Sequence, residues 1–184
     1  MSGGTNGAKA GTLSFMVGAP SEKDFEHASV VLNGMGKNLF HCGDVGTGEV
    51  AKICNNMILG VQMVAVAEGM SLGGKLGIDQ KTLGKILSVS TSSCWAANAA
   101  NPVPGVVDTS PASNDYQGGF QVGLIRKDMG LALDLSEEVG ASTEAANSAI
   151  QDYLTLEKAG KGGKDLGYVY QYVHKNKKIW TWYF

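Results

Sequence analysis

The order of apolar and polar positions divides the chain into two unlike parts. Residues 12–17 (Thr-Leu-Ser-Phe-Met-Val) form a short β-rich run bounded by Gly11 and Gly18, the pattern of a strand. Pro20, with Glu22 and Asp24 in the following turn, marks a helix start. Phe25, Ala28, Val31 and Leu32 continue at helical spacing until Gly34 and Gly36. Residues 37–42 predict a second short strand, so residues 1–43 predict a β-α-β piece of an α/β sheet. From Gly48 the period becomes helical. Val50, Ile53, Met57, Ile58, Val61, Val64, Ala67 and Met70 recur until Gly73-Gly74, and Met63, Ala65 and Val66 add apolar groups on the other faces. A helix apolar nearly all round is expected to be buried on most sides, as a domain spine or a dimer interface.

Further helices are expected from Asp79 to Leu87, from Ser92/Ser93 to Ala99, along the face Leu124, Met129, Leu131, Leu135 and Val139 up to Gly140, from Ser142-x-Glu144 to Gly160, and after Asp165. Residues 101–120 break this run with three of the four Pro and with Gly105, Gly118 and Gly119. A loop of about 20 residues is long enough to carry function. The expected fold is mostly α: a β-α-β segment at 1–43, an all-α domain at 44–178, and an atypical aromatic tail at 179–184. That tail, Ile-Trp-Thr-Trp-Tyr-Phe after Lys-Asn-Lys-Lys, reads either as a docking segment or as an exposed apolar end.

Composition narrows the function classes. Gly is 26 of 184 residues, about twice the usual share of roughly 7%, yet without a repeat, so the chain is not collagen-like. The net charge of −2 and the single Arg, Arg126, give no general case for nucleic acid. The longest apolar run, 57–67, is broken by Gln62 and is short for a bilayer of roughly 20 residues, so no membrane partner is expected. Cys42, Cys54 and Cys94 are widely spaced and predict reduced thiols. No His/Cys set has zinc spacing, so no metal is expected, and His27, His41 and His174 read as structural.

Two small constellations carry candidate chemistry. Gly46-Thr47-Gly48-Glu49-Val50-Ala51 formally fits G-x-G-x-x-G/A. The long helix behind it, with no second strand and no acidic ribose partner, argues instead for a tight turn and close helix packing. Lys52, Asn55 and Asn56 follow at i, i+3 and i+4 and share one helix face. They form either a polar cap or a substrate-facing site in which Lys52 exchanges a proton and an Asn orients a hydroxyl. Ser2-Gly3-Gly4 is generic flexible sequence, or a nest of donors for a carboxylate. Lys127-Asp128 reads as solvated surface charge on a helix.

Taken together, Ser2-Gly3-Gly4, Gly11-Thr12-Leu13-Ser14-Phe15-Met16-Val17-Gly18, Gly46-Thr47-Gly48-x-x-x-Lys52-x-x-Asn55-Asn56 and Lys127-Asp128-x-Gly130-Leu131-Ala132 resemble the β-hydroxyacid dehydrogenases. Cys94-Trp95, Asn101-Pro102-Val103-Pro104-Gly105-Val106 and Asn114-x-Tyr116-Gln117-Gly118-Gly119-Phe120 narrow the likeness to the 3-hydroxyisobutyrate branch of that family. The resemblance implies a Rossmann remnant followed by an all-α domain like the C-terminal domain of 6-phosphogluconate dehydrogenase. It implies NAD-dependent oxidation of 3-hydroxyisobutyrate to methylmalonate semialdehyde, in valine catabolism, by a mitochondrial homo-oligomer (dimer or tetramer). Ser2, Gly3 and Gly4 would bind the substrate carboxylate, Lys52 would be the general acid/base, and Asn55 and Asn56 would bind and orient the substrate. Lys127 and Phe120 would lie at the cofactor. Because the family's dinucleotide fingerprint is missing, a truncated, poorly active form is expected. The alternatives are a non-catalytic helical dimerisation module and a related semialdehyde or glyoxylate reductase.

Overall fold

The computed structural model describes residues 1–175; the aromatic tail at 179–184 and the last positions of the expected helical domain lie outside them. The chain divides into two compact units, one of residues 1–57 and one from Ile58 onward.

The first unit contains a two-stranded parallel sheet. β1 (Leu13–Val17) pairs with β2 (Gly36–His41) in the register Ser14↔Asn38, Phe15↔Leu39, Met16↔Phe40, Val17↔His41. Helix α2 (Glu22–Leu32) makes the crossover, which closes a β-α-β unit. Ser21 caps α2 by accepting from the Asp24 N–H at 3.2 Å, so the acidic start seen in the sequence is a true N-cap. The expected apolar face of α2 is not covered: no residue of α2 is buried, and Val31 is 68% exposed. Two strands present too little apolar surface to cover a helix.

One element was not legible in the sequence. Residues Gly4–Ala10 form a short helix, α1, ended by Gly11 in the left-handed region (φ 62°). Its glycines are poor helix formers, but contacts with β1 hold it. The Thr12 N–H donates to the Gly7 carbonyl, and a Cβ at Gly3 or Gly7 would press on the Leu13 side chain. Just ahead of α1, Ser2 and Ser14 exchange backbone hydrogen bonds of 2.8 and 2.9 Å.

α3 (Thr47–Lys75) is 29 residues long and begins in the first unit. In the second unit its Met63, Ala67 and Met70 are fully buried. Val122, Ile125 and Met129 of α6 (Val122–Val139), and Ile150 and Tyr153 of α7 (Glu144–Leu156), are buried as well. Gly60 of α3 leaves room for the Met129 side chain, and its carbonyl accepts from the Tyr153 hydroxyl at 3.0 Å. α4 (Gln80–Val89, capped by Asp79), α5 (Trp95–Asn98) and α8 (Val169–Lys175) complete the helices.

The structure corrects one expectation here. α3 is not buried on most sides: Val50, Ile58 and Leu72 are exposed, and only 28% of its most apolar window is buried. By length and composition, with a mean hydropathy of 1.5, it could cross a membrane, which the short run at 57–67 had concealed. In α6 the buried face is Val122, Ile125, Met129 and Ala132, while Leu124, Leu131, Leu135 and Val139 are exposed. The helix itself and its end at Gly140 are as the spacing predicts.

Candidate functional site

Glycines set the start of α3 against β1. A Cβ at Gly18 would come within 2.5 Å of the Asp44 carbonyl oxygen, and one at Gly48 would run into the Met16 carbonyl. The turn between them uses Gly43 and Gly46 at φ 104° and 96°, where side chains are strained. The Thr47 hydroxyl donates to the Asp44 carbonyl at 2.7 Å. The space beside Gly18 and Gly48 is therefore filled by the protein's own backbone. That is close strand-to-helix packing, and it does not fit a pyrophosphate cradle.

One turn into α3 the polar face is assembled. Lys52 Nζ donates to Asn56 Oδ1 at 3.0 Å, and Asn55 Nδ2 donates to the same oxygen at 3.1 Å. Asn56 is only 1% exposed, Lys52 is half-buried and Asn55 is exposed. A buried amide oxygen collects two donors and holds the lysine. An amine held beside such an amide is able to exchange a proton in a fixed position. Ser2, Gly3 and Gly4 stand beside β1 at the start of α1, with Gly3 and Gly4 at φ 131° and 58°.

The remaining predicted residues belong to the second unit. Lys127 lies on α6 with its side chain 54% exposed and paired to Asp128 at 2.6 Å. Phe120 ends the loop 101–120, half-buried. That loop is not slack. Buried Asn101 donates to the Ala97 carbonyl and accepts from the Val103 N–H, and Ser110 donates to the Asn101 carbonyl at 2.8 Å. Tyr116 donates to the Pro102 carbonyl at 2.9 Å and accepts from Gln171. Burial pushes the Tyr116 phenol up to about 12.

Sequence reasoning saw Asp165 only as a helix start. It does cap a short 3-10 turn, accepting from the Gly167 N–H at 2.9 Å, but its other oxygen accepts from the Phe120 N–H at 2.9 Å. No local signal announces a bond spanning that separation. Two of the histidines have side-chain partners: His41 lies between Glu22 (2.8 Å) and the Ala19 carbonyl (3.0 Å), and His174 meets Ser71 at 3.2 Å. All three cysteines are free thiols. Among the described residues no three His, Cys, Asp or Glu cluster as metal ligands.

Comparisons with known proteins assign the chain to a class of dehydrogenases. Residues 1–43 match the family model described as the NAD binding domain of 6-phosphogluconate dehydrogenase, and residues 46–173 match that described as NAD-binding of NADP-dependent 3-hydroxyisobutyrate dehydrogenase. The chain belongs to the 3-hydroxyisobutyrate dehydrogenase family. It is 52% identical over 97% of its length to the probable mitochondrial 3-hydroxyisobutyrate dehydrogenase of Dictyostelium discoideum, covering 55% of that protein. It is 44% identical over 96% of its length to the human mitochondrial enzyme, covering 52% of it. Its fold superposes on the Mycobacterium tuberculosis 3-hydroxyisobutyrate dehydrogenase solved with L-serine with a TM-score of 0.88 at 41% identity, over 94% of this chain and 58% of that one. The chain thus spans about half the length of the curated relatives it matches.

Proposed function

We propose that the chain carries the substrate-binding and proton-transfer half of an NAD-dependent 3-hydroxyisobutyrate dehydrogenase. The observation that carries this reading is the Lys52–Asn56–Asn55 chain of hydrogen bonds on the first turns of α3. NAD, when bound, supplies the hydride acceptor. Lys52, presenting a neutral amine, takes the proton of the 3-hydroxyl as that carbon becomes a carbonyl. The Asn56 oxygen already accepts from Nζ, and a charge-assisted bond to the ammonium that forms is stronger. Asn56 therefore favours the protonated product of the transfer as well as holding the amine in place. Exposed Asn55 is the amide of the pair that meets the substrate. The Ser2 hydroxyl and the backbone donors of Gly3 and Gly4 hold the carboxylate, while Lys127 and Phe120 border the nicotinamide.

The glycine turn at 43–48 does not fit the pyrophosphate of the cofactor, because it is packed by β1. The 184 residues alone are accordingly proposed to bind NAD weakly and turn over slowly. The exposed apolar positions of α3 and α6 support self-association, and the names of the eukaryotic relatives support a mitochondrial location. A Pseudomonas aeruginosa 3-hydroxyisobutyrate dehydrogenase, 54% identical over 78% of the chain, shows that similarity itself does not fix the compartment.

The test is to place this chain behind the dinucleotide-binding half of the Dictyostelium relative and assay a substrate panel by the near-ultraviolet absorbance of NADH. We expect 3-hydroxyisobutyrate to be the preferred substrate by at least about tenfold in kcat/KM, the discrimination of a fitted pocket. Preference for glyoxylate or succinic semialdehyde would replace this reading with that of a sister reductase.

A further inference from the structure

Asp165 is an odd residue to bury. It is 3% exposed, and burial raises its carboxyl above the ordinary carboxylate range against the pull of the Gly167, Phe120 and Leu166 N–H groups. A buried charge is retained only where its bonds repay desolvation. Each oxygen is committed to a different segment: Oδ1 accepts from Gly167 at 2.9 Å within its own turn, and Oδ2 accepts from Phe120 at 2.9 Å across the loop.

The backbone around it completes a clasp. The Asp165 N–H donates to the Tyr116 carbonyl (2.9 Å), and the Leu166 N–H donates to the Phe120 carbonyl (2.7 Å). Phe120 is thus gripped at both its N–H and its C=O by two consecutive residues. The approach has no slack, since a Cβ at Gly119 (φ +66°) would strike Oδ2. Asp115 and Tyr116 sit at φ 48° and 56°, a conformation that non-glycine residues hold only when their surroundings enforce it.

We propose that Asp165 is the positioning residue of the 114–121 loop: Oδ1 anchors the carboxylate to its own turn at Gly167 while Oδ2 fixes the backbone N–H of Phe120, and hence the cofactor-facing edge of the site. This rests on the dehydrogenase reading for the role of Phe120. The clasp itself stands on geometry, and its test uses no ligand, so failure of one is distinguishable from failure of the other.

The experiment is amide hydrogen exchange by NMR on the 184-residue chain, with Phe residues fluorinated to report on the Phe120 ring. Asp165→Asn is close in shape and removes the charge, but it keeps only one acceptor for two donors. We expect the Phe120 amide to exchange about tenfold faster, with protection in α3 and α7 unchanged and the Phe120 fluorine signal broadened or split; release of Gly167 alone contradicts the proposal. Asp165→Ser keeps a capping oxygen for Gly167 and should release Phe120 alone. If Asp165 were merely a buried turn residue, Asp165→Asn would leave both amides and the fluorine signal as they were, and that result overturns the proposal. Equal loosening of Phe120 and Gly167 in Asp165→Ser also contradicts it.

Discussion

Asn56 sits where a small change in chemistry has a readable effect. Its oxygen serves both Lys52 and Asn55, so Asn56→Ala leaves two donors without their acceptor and opens a buried gap at the helix. We expect a stability loss of about 1–3 kcal/mol in a urea melt. Asn56→Asp keeps the shape and adds a negative charge beside Lys52, which favours the ammonium and raises the lysine pKa. The rise of activity with pH in the oxidation direction should therefore shift to higher pH, as read from kcat profiles of the fused enzyme. An unshifted profile would mean that Lys52 is not the titrating group. His41 makes a second pH prediction. Its two ring nitrogens face two acceptors, the Glu22 carboxylate and the Ala19 carbonyl, and these bonds raise its pKa above 6.5. A raised folded pKa means that the stabilisation is full below the unfolded value and is lost as pH rises through the folded value. Melts across neutral pH should show that loss, and Glu22→Gln should flatten it.

At the scale of elements, local signals and tertiary ones separate cleanly. The strand at 12–17, the helix starts at 20–24 and at Asp79, and the stop at Gly140 were all legible, because each depends on a few neighbouring residues. So was the shared face of Lys52, Asn55 and Asn56, which follows from helical geometry alone. The α1 helix was not, since its glycine-rich residues are held by contacts with β1 rather than by propensity. The buried face of α6 was not legible either, because two apolar stripes compete on one helix and only packing partners decide between them. The Asp165–Phe120 bond joins residues far apart in the chain. Element packing also yields a sharp test at Gly48. Gly48→Ala would push a Cβ into the Met16 carbonyl, a backbone atom that has little freedom to move. We expect a destabilisation of about 1–3 kcal/mol, visible in thermal melts, from overpacking. No change in Tm would show that the start of α3 is looser than described.

For the whole molecule, the exposed apolar positions are the largest unexplained feature. Val50, Ile58 and Leu72 on α3 and Leu124, Leu131 and Val139 on α6 leave more apolar surface open than isolated surface residues usually do. Sedimentation velocity should find an oligomer whose population grows with concentration, and a monomer at all accessible concentrations would argue against self-association. The proposed role of Lys52 in moving the substrate's proton has a direct test. With this chain joined to a dinucleotide-binding half, Lys52→Ala should lower kcat for 3-hydroxyisobutyrate by a factor on the order of 10²–10⁴, the worth of a positioned acid/base group. A near wild-type rate in that variant would contradict the account.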